Sequence, residues 1–201
     1  MKNYVISIGR EYCSGGREMG KMLAKRLDIH YYDKDELRTK ARDMGVEDGI
    51  FDMFDEQPTK SFLFSVVMDP YAIDNAVNEG KVLEAQRRVI LKAAEEGSCV
   101  IVGRRADKIL EGKDGVDVIS VFIGADIDDR VQEYKKRTGE SPRSAVRLIQ
   151  RKDRDRASYY NYLGDGKWGA ASNYTMCFST SKISKETIVD IVAKYVENMQ
   201  K

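Results

Sequence analysis

The sequence predicts an α/β fold built on a five-stranded parallel sheet with helices on both faces. Three observations carry this. Segments of strand character alternate with segments of helical period along the chain. The strand segments are continuous apolar runs, as expected of strands buried on both sides. The first of them runs directly into a glycine-rich turn and then a helix. A length of 201 residues suits one such domain with a sizeable core, so a single domain over 1–201 is expected.

Taken in order, residues 3–9 (NYVISIG) read as a buried strand that enters the turn Ser14-Gly15-Gly16. Met19, Met22, Leu23 and Leu27 then recur at helical spacing, and a helix runs to about Asp28. Residues 29–32 form a short strand ending at Asp33, followed by a charged helix over 34–44. Residues 45–80 hold no single period and read as an irregular, partly helical insertion. Residues 81–96 are an amphipathic helix stopped by Gly97. Cys99–Val102 and 117–123 are strands, and 126–138 is a helix stopped by Gly139. Pro142 sits in the first turn of a basic helix reaching about Tyr160. Residues 175–180 are the last strand and 184–198 the last helix, with Ser184 as its N-cap.

Composition narrows the function. Hydrophobic residues make up 42% and charged residues 33%, a globular balance, and the formal net charge is +1. Nothing in that charge provides the broad basic field of a nucleic-acid binder, so none is expected as a partner. Cys13, Cys99 and Cys177 are odd in number and widely spaced, which suggests neither a disulfide framework nor a zinc site. With no apolar run of 18 residues and no signal-peptide pattern, no membrane partner is expected and a cytoplasmic location is.

In open parallel sheets ligands bind beyond the carboxyl ends of the strands. Polar residues cluster at those ends: Arg10 to Arg17, Asp33 and Arg104. A strand–glycine turn–helix unit turns consecutive backbone N–H groups toward an anion, backed by the positive end of the helix. Ser14, Gly15, Gly16, Arg17 and Glu18 are therefore the candidate donor-phosphate loop, the alternative being a plain β–turn–α connection. The regular phosphate-binding motif would place Lys and Ser/Thr where Arg17 and Glu18 stand. Arg17 supplies charge as a planar fork, and Glu18 either reaches a metal directly or caps the helix. Arg104, after CVIVG, is placed to grip a phosphate bidentately, with Asp107 three residues on as an ion-pair partner or metal neighbour. Arg38 and Arg42 share a helix face as candidate acceptor-phosphate ligands or solvated charges. Arg143, Arg147 and Arg151 share another face, and Lys152, Arg154 and Arg156 follow. Of these, Arg151, Arg154 and Arg156 are the candidate catalytic contacts beside Arg17 and Arg104, because phosphoryl transfer needs cations on the equatorial oxygens. Asp153 and Asp155 are placed to orient them. Tyr159, Tyr160, Tyr162 and Trp168 suggest a hinge or base-stacking wall, and His30 a core or edge residue.

Four segments carry a resemblance. GREYCSGGREMG followed by YYDKDEL, then CVIVGRRADKIL, then RKDRDRASYYNY, then the Trp168-Gly169 and Asn173-Tyr174 pairs, resemble in order the motifs of the cytidylate kinase-like family. The resemblance implies a three-layer P-loop kinase-like fold, with a monophosphate-binding insertion at 34–80 and a lid at 139–168. It implies transfer of the ATP γ-phosphoryl group to CMP, dCMP or a similar small phosphate acceptor, with ATP and Mg²⁺ as cofactors. Asp33 matches the residue that opens the monophosphate-binding region, and is the nearest carboxylate to orient an acceptor. Three positions depart from the family pattern: Cys13 stands where Gly is usual, Thr175 where Asp is frequent, and Arg105 where a small residue is. A helix N-terminus beside Cys13 would acidify its thiol. The rival expectation is a catalytically weak, nucleotide-binding regulatory or sensor protein on the same fold.

Overall fold

The computed structural model describes residues 2–46, 72–162 and 166–201. The elements run β1 (Asn3–Arg10), α1 (Gly16–Leu27), β2 (His30–Tyr32), α2 (Lys34–Asp43), α3 (Ala72–Glu96), β3 (Cys99–Val102), α4 (Ala106–Ile109), β4 (Val116–Gly124), α5 (Ile127–Thr138), α6 (Pro142–Tyr162), β5 (Met176–Ser179) and α7 (Lys185–Met199). The five strands form one parallel sheet in the order β2-β3-β1-β4-β5, with β1 central.

The continuous apolar runs serve two cores at once, because successive strand residues point to opposite faces. Ile6 and Ile8 of β1 join Met19 and Leu23 of α1 and Ile188 and Val192 of α7 on one face. Val5 joins Leu37 of α2, Val89 and Ile90 of α3, and Ile101 of β3 on the other. The result is the expected three-layer α/β arrangement. A third, smaller cluster (Val131, Tyr134, Ala145 and Ile149) packs α5 on α6, and Tyr12 and Cys13 lean on it.

Three features differ from the sequence expectation. Helix α3 begins at Ala72 rather than 81 and runs through Gly80. Extending an existing helix costs far less than nucleating one, so a single glycine does not stop it. The four-residue α4 follows three successive left-handed residues, Gly103, Arg104 and Arg105, and is too short to show a period. Most of the irregular insertion expected at 45–80 lies outside the described residues, as do 47–71. Among the described residues no helix is long and apolar enough to cross a membrane.

The order of strands puts the ends of β1 and β3 side by side at the middle of the sheet, with β4 next to them. Arg10, Gly103 and Ala125 therefore meet at one edge, where the turn into α1 also begins.

Candidate active site

The turn from β1 into α1 is held from beneath. Ser14 is buried, and its hydroxyl lies 2.9 Å from both Glu11 O and Ile123 O. Its carbonyl accepts from Thr180 Oγ1 at 3.0 Å. Glu11 reaches across to β4, accepting the Ala125 N–H through Oε2 at 2.9 Å. The Tyr12 N–H donates to Asp153 Oδ1 of α6 at 2.7 Å. Ser14 thus belongs to the loop as its anchor, with its side chain turned to β4.

Above these anchors the chain turns through Gly15 at φ 82° and starts α1 at Gly16. A side chain at Gly16 would place its Cβ 2.6 Å from Arg10 Cβ, so only glycine lets the helix start this close to the strand. The first intrahelical bond is Met19 N–H to Gly15 O at 3.0 Å. The N–H groups of Gly16, Arg17 and Glu18 precede it and have no carbonyl of their own helix to meet. They open on a cleft of about 800 Å³.

Eight Arg and Lys side chains line that cleft against four Asp and Glu, so its field favours a polyanion although the chain as a whole is near neutral. The acids are largely committed. Asp33 accepts the Asp35 and Glu36 N–H groups on Oδ1 as the N-cap of α2. Its Oδ2 accepts from Arg17 Nε at 2.7 Å and Tyr31 OH at 3.1 Å. Burial pushes the Asp33 carboxyl up, but the α2 amides and the Arg17 guanidinium more than offset this and leave it below its ordinary range. Arg17 also bonds Asp35 at 2.9 Å. Glu18 pairs with Lys185 at the start of α7.

Of the sequence candidates, the cleft brings together Ser14, Gly15, Gly16, Arg17, Glu18, Asp33, Arg104 and Arg156. Arg104 is buried at the end of β3, with a left-handed backbone at φ 60°. Arg156 donates to Arg10 O at 3.2 Å and stacks over the Tyr12 ring at 5.4 Å, with Arg137 at 5.6 Å from the same ring. Arg38, Arg42, Arg151 and Arg154 are not on the cleft wall. Arg42, Arg151 and Arg154 are exposed on α2 and α6, as are Arg143 and Arg147. In their place α5 and α6 contribute Arg137 and Lys152. Asp153 pairs instead with the buried Arg130, which it shares with Glu11.

Cys13 falls differently from expectation. The Cys13 thiol is pushed up by burial, which outweighs the opposing effect of Arg137, whose Nη2 lies 2.9 Å from its sulfur; it is not acidified. Thr175 exchanges hydrogen bonds with Ser120 at the far end of β5, away from the cleft. His30 is exposed on the edge strand β2. Phe122, Trp168, Tyr174 and Tyr160 form a chain of ring contacts, with centroids 5.0–6.3 Å apart, beside the cleft. Lys185 carries no sequence signal: it lies 167 positions from Glu18 and is recognisable only by its contact with that residue.

Two outcomes follow. Asp153→Ala leaves the Tyr12 N–H and the buried Arg130 without their main acceptor, and lowers stability to urea by about 3 kcal/mol. Asp33→Asn costs about 1 kcal/mol at pH 7, discounted for the exposed Arg17 partner. Because the folded pKa of Asp33 is depressed, its contribution is full above the unfolded value of about 4 and is lost as pH falls through the folded value. Urea titrations of wild type and Asp33→Asn should therefore begin to converge as pH falls below about 4 and meet once pH lies below the folded value.

With this geometry, the likeness to known proteins becomes specific. No curated protein matches the chain. An uncharacterized protein from Eubacterium ventriosum ATCC 27560 is 28% identical, with 96% of this chain and 98% of that chain covered and a TM-score of 0.73. Shikimate kinase from Bacteroides thetaiotaomicron is 13% identical over 96% of this chain and 98% of its own, with a TM-score of 0.54. Mycobacterium tuberculosis APS kinase, solved with AMPPNP and APS, is 14% identical over 98% of each chain, also at 0.54. These last two likenesses show the P-loop kinase fold. The pattern of one family matches residues 5–182, nearly the whole length, and the chain belongs to the cytidylate kinase-like family.

Proposed function

We propose that this protein is a nucleoside monophosphate kinase that transfers the ATP γ-phosphoryl group to CMP, dCMP or a similar small phosphate acceptor. One observation carries the proposal: a cation-rich cleft at the carboxyl edge of the sheet, centred on the amide groups that start α1. Phosphoryl transfer asks little covalent chemistry of a protein and much positioning and charge neutralisation. The amides of Gly16, Arg17 and Glu18 cradle the donor phosphates. Arg17 leaves Asp33 and Asp35 for those phosphates, which frees Asp33 Oδ2 to orient the acceptor. Arg104 and Arg156 neutralise the transferring group. The described residues offer no cluster of three or more metal-binding side chains. That suits Mg²⁺, which binds chiefly through substrate phosphates and one or two carboxylates. Glu18, a hard oxygen donor in the first turn of α1, is the residue that would hold it. Bound there, Mg²⁺ supplies charge compensation between the phosphates. Within this proposal the segment 34–80 serves as the monophosphate-binding insertion and 139–168 as the lid.

A specific observation also favours the sensor alternative. Arg17 and Glu18, at the positions of the usual Lys and Ser/Thr, are each held in ion pairs. Titration calorimetry with ATP and with CMP in Mg²⁺, followed by an ADP-release assay, separates the two. A kinase binds both and releases ADP only when CMP is present. Arg17→Ala should then lower kcat/KM by about 100-fold or more, the scale of one lost charge-stabilising contact. Binding without ADP release identifies a sensor.

A further inference from the structure

Beyond Arg104 the cleft has a side pocket of about 20 Å³, room for one or two oxygen-sized atoms and too small for a base. Arg10, Arg104 and Arg156 line both spaces, and Arg105 lines the side pocket alone. Asp107 is its one acidic wall residue, and that carboxylate already accepts the Tyr160 hydroxyl at 2.6 Å.

Arg105 is the unusual member. It is 9% exposed, yet its Nε has no hydrogen-bond partner among the described residues. Its guanidinium faces the Tyr160 ring at 5.4 Å. A ring face is a weak substitute for the water or carboxylate that a buried guanidinium requires. Burial accordingly pushes the Arg105 pKa down. The backbone adds to the cost: Arg105 sits at φ 52°, directly after Arg104 at φ 60°. A β-carbon disfavours that region. Retaining a buried, underpartnered cation on a strained backbone beside a ligand cleft is the mark of a group whose partner arrives with the ligand.

We propose that the side pocket receives the anionic oxygens of the acceptor's phosphoryl group, and that Arg105 is a specificity-determining residue that selects a phosphomonoester over an uncharged acceptor. This rests on the kinase reading above for the identity of the acceptor, but the anion subsite itself does not. The main cleft holds the remainder of the acceptor, and the three shared arginines bridge the two spaces.

The test compares wild type, Arg105→Gly and Arg105→Lys by calorimetry with CMP, cytidine, inorganic phosphate and ATP, and by thermal melting without ligand. Glycine accepts the left-handed backbone, so Arg105→Gly should melt at or above the wild-type temperature. It should weaken CMP and inorganic phosphate by about 10- to 100-fold, the scale of a lost charge-assisted hydrogen bond. ATP and cytidine should stay within about twofold. Arg105→Lys should recover part of the CMP affinity, because it keeps the charge without the planar fork. If phosphate weakens in Arg105→Gly while no CMP is ever phosphorylated, the subsite stands and the kinase reading fails. If CMP is phosphorylated with the same KM by wild type and Arg105→Gly, the kinase reading stands and the subsite is overturned. A lower melting temperature with equal loss of every ligand also overturns it, since Arg105 would then be structural.

Discussion

Everything at the cleft depends on one constraint: the turn between β1 and α1 must present its backbone amides outward without collapsing onto them. The buried Ser14 hydroxyl meets this by bridging Glu11 O and Ile123 O. Glu11 ties the turn to Ala125, Thr180 to the segment after β5, and Asp153 to α6. Each anchor satisfies a polar group on the inner side of the turn. The amides at the start of α1 are left for something outside. A loop fixed in this way needs little reorganisation when an anion arrives, which is where preorganised dipoles derive their advantage over water.

The same anchors couple the turn to the helices that flank the cleft. Asp153 touches both Tyr12 and Arg130, and the Tyr12 ring meets the guanidinium groups of Arg137 and Arg156. Movement of α6 would therefore be felt at the loop through the Asp153 carboxylate and the Arg156–Tyr12 contact, and movement of α5 through the Arg137–Tyr12 contact. Charge is arranged with similar economy. The chain is near neutral, yet eight of its cations gather at one sheet edge while Glu11, Glu18 and Asp33 there are held by caps and ion pairs. Net charge gave no hint of this, because a local field depends on placement and not on the sum.

The layers of the fold were legible because burial on two faces leaves a mark in sequence: NYVISIG and CVIV are apolar without interruption. The loop was legible because close approach demands glycine, and Gly15 and Gly16 stand where the turn needs them. The anchoring role of Ser14 was not, since two of its three partners lie 109 and 166 residues away and any small polar residue would look alike. Lys185 was hidden for the same reason. The basic helix shows the opposite case. Arg151 and Arg154 looked like site residues because spacing reveals which residues share a helix face, but not which face meets the cleft. Arg105 was visible only as a departure from a family pattern; its burial and left-handed backbone give that departure a physical meaning.

The central claim is that the amides at the start of α1 bind the donor phosphates. Backbone ¹H–¹⁵N chemical shifts recorded while Mg·ATP is added test it most directly. The account predicts that Gly15, Gly16, Arg17 and Glu18 shift most, with Ser14 changing little because its bonds to Glu11 and Ile123 persist. Saturable shifts confined to other parts of the chain, with residues 15–18 unmoved, would contradict it.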